Sequence, residues 1–166
     1  MAATNRSFDL PTEAATQALG TKIAGFIKDG NRIYLHGELG AGKTTLARSI
    51  LQSLGVSGRI KSPTYTLVEA YEFNGSSAYH FDLYRLADAE ELEYLGVRDY
   101  FSPAAVLLVE WPERGEGVLP PADVHVYLDY AGSGRQVRLE AGGGGRHQWL
   151  VSLSTEVDGL NCMPDL

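Results

Sequence analysis

The chain has little that would suit it to an oxidising or a lipid setting. Cys162 is its single cysteine among 166 residues and has no partner for an internal disulfide, so a reducing compartment is expected. Long apolar runs are missing as well. A bilayer crossing needs roughly 20 successive apolar residues, and the longest obvious run here is Ala104 to Val109. Arg6, Asp9 and Glu13 open the chain with no apolar stretch behind them, so neither a secretory signal nor a membrane anchor is expected. Basic residues are also scarce: 14 Lys and Arg stand against 21 Asp and Glu, a net charge of -7. Tight nucleic-acid binding rests on basic stripes that displace phosphate counterions, or on basic residues interleaved with aromatics. Neither pattern is present, and little direct contact with RNA or DNA is expected.

The residues that are present describe a globular chain. With 44% hydrophobic residues it can bury a core of its own. We expect one domain over residues 1–154 and a flexible tail over 155–166. Ala15, Leu19, Ile23, Phe26 and Ile27 recur at helical spacing behind Thr12, a side chain suited to capping, with Gly30 as the stop. Ile33-Tyr34-Leu35 reads as a buried strand, and Leu46, Ile50, Leu51 and Leu54 mark a helix from Lys43 that ends at Gly55. Thr64 to Phe73 and Ala78 to Leu83 look like strands joined at Asn74-Gly75, a pair that tolerates the positive φ of a hairpin turn. Asp88 with Glu91 signals a helix through Leu95, closed at Gly96. Ala105 to Val109 suits a strand buried on both faces. A second hairpin is expected over Val124 to Tyr130 and Gln136 to Glu140, then a flexible hinge at Gly142 to Gly145 and a short helix around Trp149, Leu150 and Leu153.

Between the first strand and its helix lies Gly37-Glu38-Leu39-Gly40-Ala41-Gly42-Lys43-Thr44, which fits G-x-x-x-x-G-K-[ST] at every required position. The glycines let successive backbone N–H groups turn inward as a nest for phosphate oxygens. The helix behind them adds its unpaired N–H groups and the positive end of its dipole. Lys43 is suited to the β- and γ-phosphates, Thr44 to Mg²⁺, and Thr45 to the α-phosphate. A P-loop needs an acidic partner. Glu110, closing the run Val106-Leu107-Leu108-Val109, is one candidate, against the alternative of a solvated strand-end carboxylate. Asp82 is a second, and alternation puts it on one strand face with His80 while Tyr79, Phe81 and Leu83 take the other. Arg85 is suited either to transition-state charge or to a surface ion pair. Lys61-Ser62-Pro63-Thr64 sits where switch loops of P-loop hydrolases lie, with a simple structural loop as the alternative. No Asn-Lys-x-Asp guanine reader occurs, which favours adenine by elimination. No arginine-rich lid marks a small-molecule kinase, although that reading and a non-catalytic ATP-binding switch both stay open.

Four blocks occur in series: Gly-Glu-Leu-Gly-Ala-Gly-Lys-Thr-Thr, Lys-Ser-Pro-Thr-Tyr-Thr-Leu-Val-Glu, Tyr-His-Phe-Asp-Leu-Tyr-Arg-Leu and Leu-Val-Glu-Trp-Pro. Together, over about residues 8 to 140, they resemble the TsaE family, bacterial ATPases of tRNA threonylcarbamoyladenosine synthesis. The resemblance implies an α/β, P-loop NTPase-like three-layer sandwich whose mixed sheet has a parallel core and antiparallel hairpins. It implies Mg-ATP hydrolysis, in the cytoplasm, in support of a threonylcarbamoyl-transferase subunit and its inactive paralogue. It implies phosphate and Mg²⁺ contacts for Lys43 and Thr44 within the nucleotide loop of Gly37, Glu38, Leu39, Gly40, Ala41, Gly42 and Thr45. Asp82 and Glu110 match the family's acidic pair, with the division of metal and water roles between them open. Trp111 matches a tryptophan beside the nucleotide, or else a core anchor. Ser62, Pro63, Thr64 and Tyr65 match a switch-like loop, and Arg135 and Glu13 match positions near the nucleotide and its adenine. Glu38 stands where the family more often has Asp; that position mainly offers backbone.

Overall fold

A computed structural model describes residues 5–153 and 161–162. Among these described residues, eight strands form one sheet in the order β3-β4-β5-β2-β6-β7-β1-β8. Its centre is parallel: β4 (Ser76–Asp82), β5 (Val106–Glu110), β2 (Asn31–His36) and β6 (Val124–Ala131) run side by side in one direction. β3 (Val68–Phe73) is added antiparallel at one edge. At the other, β7 (Gly134–Ala141), β1 (Asn5–Leu10) and β8 (Asn161–Cys162) follow antiparallel. The expected tail over 155–166 lies outside the described residues except for those two of β8.

Alternation along the central strands divides the core in two. Ile33, Leu35, Val106, Leu108, Val124 and Val126 face helices α1 (Glu13–Ala24) and α2 (Lys43–Leu54). Tyr34, Phe81, Leu107 and Val109 face the other way, under the short helix α3 (Glu90–Tyr94) and two 3-10 turns, Val97–Tyr100 and Pro112–Gly115. Strands β2 and β5 therefore have apolar side chains on both faces, which is why they read as unbroken apolar runs. The long helices α1 and α2 cross closely at Gly20, where an added Cβ would lie 2.6 Å from the Ser49 Cβ. Ser49 also donates to the Gln17 carbonyl across this crossing, at 2.6 Å.

Several boundaries differ from the sequence expectation. Thr12 caps α1 through the Ala15 N–H at 3.2 Å, as its side chain suggests. The helix nevertheless ends at Ala24, and the chain passes through turns to Gly30, whose φ of +109° and close approach to the Pro103 carbonyl leave no room for a side chain. Phe26 falls in that segment and stacks on Trp149 at 5.8 Å instead of entering the core. β3 begins at Val68 rather than Thr64, because Leu67 takes a left-handed φ of 73° and its N–H closes a turn onto the Pro63 carbonyl. The Asn74-Gly75 turn forms as expected, both residues at positive φ.

Gly142 to Gly145 is no hinge. The N–H groups of Gly142 and Gly144 donate to the carbonyls of Asp123 and Ala122, each at 2.8 Å. The buried Asp123 carboxylate takes the N–H of Arg32 at 2.8 Å and that of Arg146 at 3.0 Å. Glycine is needed there because the chain passes so close to Ala122: a Cβ on Gly142 would lie 2.2 Å from its carbonyl oxygen.

Candidate functional site

Parallel pairing carries the ends of β2, β4 and β5 to one edge of the sheet, with Glu110 opposite both Leu35 and Asp82. The loop from Gly37 to Gly42 leaves β2 at that edge and enters α2 at Lys43. Open α/β sheets bind ligands in this position, beyond the carboxyl ends of the strands. Gly37, Gly40 and Gly42 hold φ of 151°, 79° and 108°, and a Cβ on Gly37 would meet the Leu128 carbonyl at 2.6 Å. Two contacts from the β6–β7 hairpin hold the outside of the loop. The Tyr130 hydroxyl donates to the Leu39 carbonyl at 2.6 Å, and the Arg135 guanidinium to the Gly40 carbonyl at 3.2 Å. Arg135 also lies over the Tyr130 ring, 4.3 Å from its centroid.

Lys43 is buried, 4% exposed. Its ammonium donates to the Gly37 carbonyl and, at 3.2 Å, to the Glu38 carbonyl, and it lies 3.9 Å from the centroid of the Trp111 ring. Burial pulls its pKa down, opposed by the carboxylates of Glu110, Asp82 and Glu113. Trp111 holds a left-handed φ of 58°, a conformation that costs a non-glycine residue about 1–3 kcal/mol and is common at functional sites. It also packs on Tyr84 and on the second core, so its indole spans core and site.

The Thr44 hydroxyl donates to the Glu110 carboxylate, 2.9 Å from Oε1 and 3.2 Å from Oε2. Glu110 is 2% exposed and lies 2.6 Å, through Oε2, from the His80 Nε2. Asp82 Oδ1 accepts from the Tyr84 N–H at 3.0 Å. Burial raises the Asp82 pKa, countered by that hydrogen bond, while Glu110 pushes it up and His80 and Lys43 pull it down.

Two clefts flank the loop. One, of about 250 Å³, brings Lys43, Thr44, Thr64, Asp82, Glu110 and Trp111 together. The other, of about 320 Å³, places Glu13 and Arg135 beside Thr45, Gly40 and Gly42. Of the switch-like loop only Thr64 reaches the first cleft. Ser62 hydrogen-bonds Thr64 at 2.7 Å, Pro63 is buried, and Tyr65 projects outward, 83% exposed. Arg85 lies over the Tyr65 ring at 4.5 Å rather than in the cleft. Sequence reasoning missed the anchoring role of Tyr130 and the contact between His80 and Glu110. For His80 a signal existed, its strand face shared with Asp82.

The donor set suits magnesium, a hard cation that takes a hydroxyl and one or two carboxylates and completes its shell with phosphate and water. Among the described residues no three His, Cys, Asp or Glu side chains converge as a preformed metal cage. The glycine cradle, the buried ammonium that donates to two loop carbonyls, and the hydroxyl–carboxylate pair could hold a triphosphate and its metal.

The family model for the threonylcarbamoyl adenosine biosynthesis protein TsaE matches residues 10–137. The chain is 49% identical over 137 residues to a tRNA threonylcarbamoyladenosine biosynthesis protein TsaE of Haemophilus influenzae, covering 80% of this chain and 87% of that one. It is 33% identical to the protein of that name in Bacillus subtilis, over 88% and 91% of the two chains. The crystal structure of Bacillus subtilis YdiB superposes with a TM-score of 0.75 at 29% identity, covering 92% of this chain and 95% of that one. Motif order, sheet topology and these likenesses agree: the chain belongs to the TsaE family, which serves tRNA threonylcarbamoyladenosine biosynthesis.

Proposed function

We propose that the chain binds Mg-ATP in the glycine loop and hydrolyses it, and that this turnover supports the cytoplasmic transferase that forms threonylcarbamoyladenosine in tRNA. The observation that carries the reading is the meeting of Lys43, Thr44, Asp82 and Glu110 in one cleft at the carboxyl edge of the sheet. Phosphoryl transfer asks little covalent chemistry of a protein; positioning and charge compensation supply nearly all the rate. Lys43 exchanges its present carbonyl partners for β- and γ-phosphate oxygens. The loop N–H groups orient the chain of phosphates, and Thr44 with the acidic pair holds the metal side. Magnesium, when bound, neutralises the phosphate charge. Glu13 and Arg135 border the second cleft, where the adenosine end would rest.

The partner is a threonylcarbamoyl-transferase subunit together with its inactive paralogue. An acidic chain with a net charge of -7 suits work through protein contacts rather than on tRNA itself. The test is Mg²⁺-dependent ATP hydrolysis by the purified chain, with and without that pair, in the wild type and in Lys43→Ala. We expect slow turnover alone, stimulation by the pair, and loss of both in the variant. Unaltered hydrolysis in Lys43→Ala would overturn the site. ATP binding without hydrolysis under either condition would instead favour a nucleotide-controlled switch.

A further inference from the structure

His80 is the most deeply buried ionisable side chain beside the site, at 1% exposure, and the nucleotide chemistry above makes no use of it. It lies on β4 two residues before Asp82 and on the same face, opposite Leu108 of β5 in the parallel register. That register sets its ring one step behind Glu110. Among the described residues the ring meets one polar group: Nε2 lies 2.6 Å from Glu110 Oε2, while Nδ1, also buried, has no hydrogen-bond partner among them. Glu110 is thus held from two sides, by His80 at Oε2 and by the Thr44 hydroxyl chiefly at Oε1.

From this arrangement, which rests on the Mg-ATP reading, we infer that His80 is a positioning residue for the magnesium site: it locks the Glu110 carboxylate in the rotamer that meets Thr44 and the metal. A glutamate has three side-chain torsions to restrain, and a metal site needs its ligands held by outer hydrogen bonds as well as by packing. Loss of such an outer partner typically costs 10–100-fold in metal affinity. The unpaired Nδ1 is informative here. A histidine kept only to fill the core would leave a buried polar nitrogen unsatisfied for no return, where leucine or phenylalanine would fill the space without that cost. The ring orientation retained is the one that gives Nε2 to Glu110.

The amide variants separate positioning from packing. In His80→Gln the side-chain amide extends to about the place of Nε2 and keeps a donor for Glu110. In His80→Asn it stops near the place of Nδ1 and cannot reach. ADP affinity, measured by calorimetry with and without Mg²⁺, reads the metal site without any need for turnover, and thermal unfolding reports the fold. We expect His80→Gln to stay within about threefold of the wild type in the Mg²⁺ concentration that gives half the metal effect. For His80→Asn we expect that concentration to rise at least about 10-fold while metal-free ADP affinity is unchanged. Equal Mg²⁺ responses in wild type and His80→Asn overturn the inference, whatever the two melting temperatures. So does a shift of the same size in both amide variants. A wild type whose ADP affinity ignores Mg²⁺ overturns the metal reading of the site and this inference with it.

Discussion

At the scale of single residues, Asp82 and Glu110 are adjacent on neighbouring strands but differently placed. Glu110 has both oxygens engaged, by Thr44 and His80, whereas Asp82 has its raised pKa and a backbone N–H on Oδ1. Each is surrounded closely enough that an isosteric amide fits the same space. Asp82→Asn and Glu110→Gln should therefore keep the fold and the metal-free affinity for ADP, and each should lose at least about 100-fold in ATP turnover, the scale of a lost electrostatic contact in a closed site. Steady-state hydrolysis beside calorimetric ADP binding checks this; full turnover in both variants would remove the acidic pair from the mechanism. Lys43 and Thr44 were legible from spacing alone, since a glycine loop between strand and helix dictates where its lysine points. Asp82 and Glu110 were legible as strand-end carboxylates. The link from His80 to Glu110 was not, because it depends on the β4–β5 register, and nothing local in either strand encodes which residues face each other. The left-handed backbone of Trp111 was hidden for a related reason: the surrounding packing holds it there against its own preference.

At the scale of elements, periodicity located α2 and the central strands well, because each presents a continuous apolar face to a core. It failed where tertiary contacts stop an element early. α1 keeps its apolar spacing past Ala24, yet the chain leaves the helix to bring Gly30 against Pro103. The tract Gly142 to Gly145 looked loose because glycine is common in hinges, whereas here it is glycine's small size that is used, against Ala122 and Asp123. The same consideration governs the α1–α2 crossing. In an exposed helix Gly20→Ala would stabilise by up to about 1 kcal/mol. Here the new Cβ would lie 2.6 Å from Ser49, and overpacking of this kind costs about 1–3 kcal/mol. We expect a net loss near 1 kcal/mol, read as a lower urea midpoint. A midpoint above that of the wild type would show that the two helices can separate freely.

At the scale of the whole molecule, two histidines make stability depend on pH. His36 and His125 lie on the sheet face away from α2, with His36 Nε2 2.9 Å from His125 Nδ1 and the His36 ring stacked on Tyr127 at 4.4 Å. Burial, helped by His125, Lys43 and Arg138, pushes the His36 pKa from 6.5 down to about 4, and burial lowers that of His125 as well. Between those two values the unfolded chain takes up a proton at His36 that the folded chain refuses, so stability falls as pH drops from 6.5 towards 4. Asp82, with its pKa raised, works in the opposite sense. The urea midpoint should fall more between pH 7 and about pH 4.5 in the wild type than in a His36→Gln, His125→Gln double variant. Parallel pH dependence in the two would mean that these histidines are as readily protonated in the fold as outside it. The sheet order has a last consequence, for the time at which the protein becomes competent. β1 pairs with β7 and β8 and with no strand made in between, and the loop around Gly40 is braced by Tyr130 and Arg135 of the late hairpin. Ribosomes add about 5–20 residues per second. The nascent chain therefore carries its glycine loop unbraced, and its first strand unpaired, until nearly the whole domain has been synthesised.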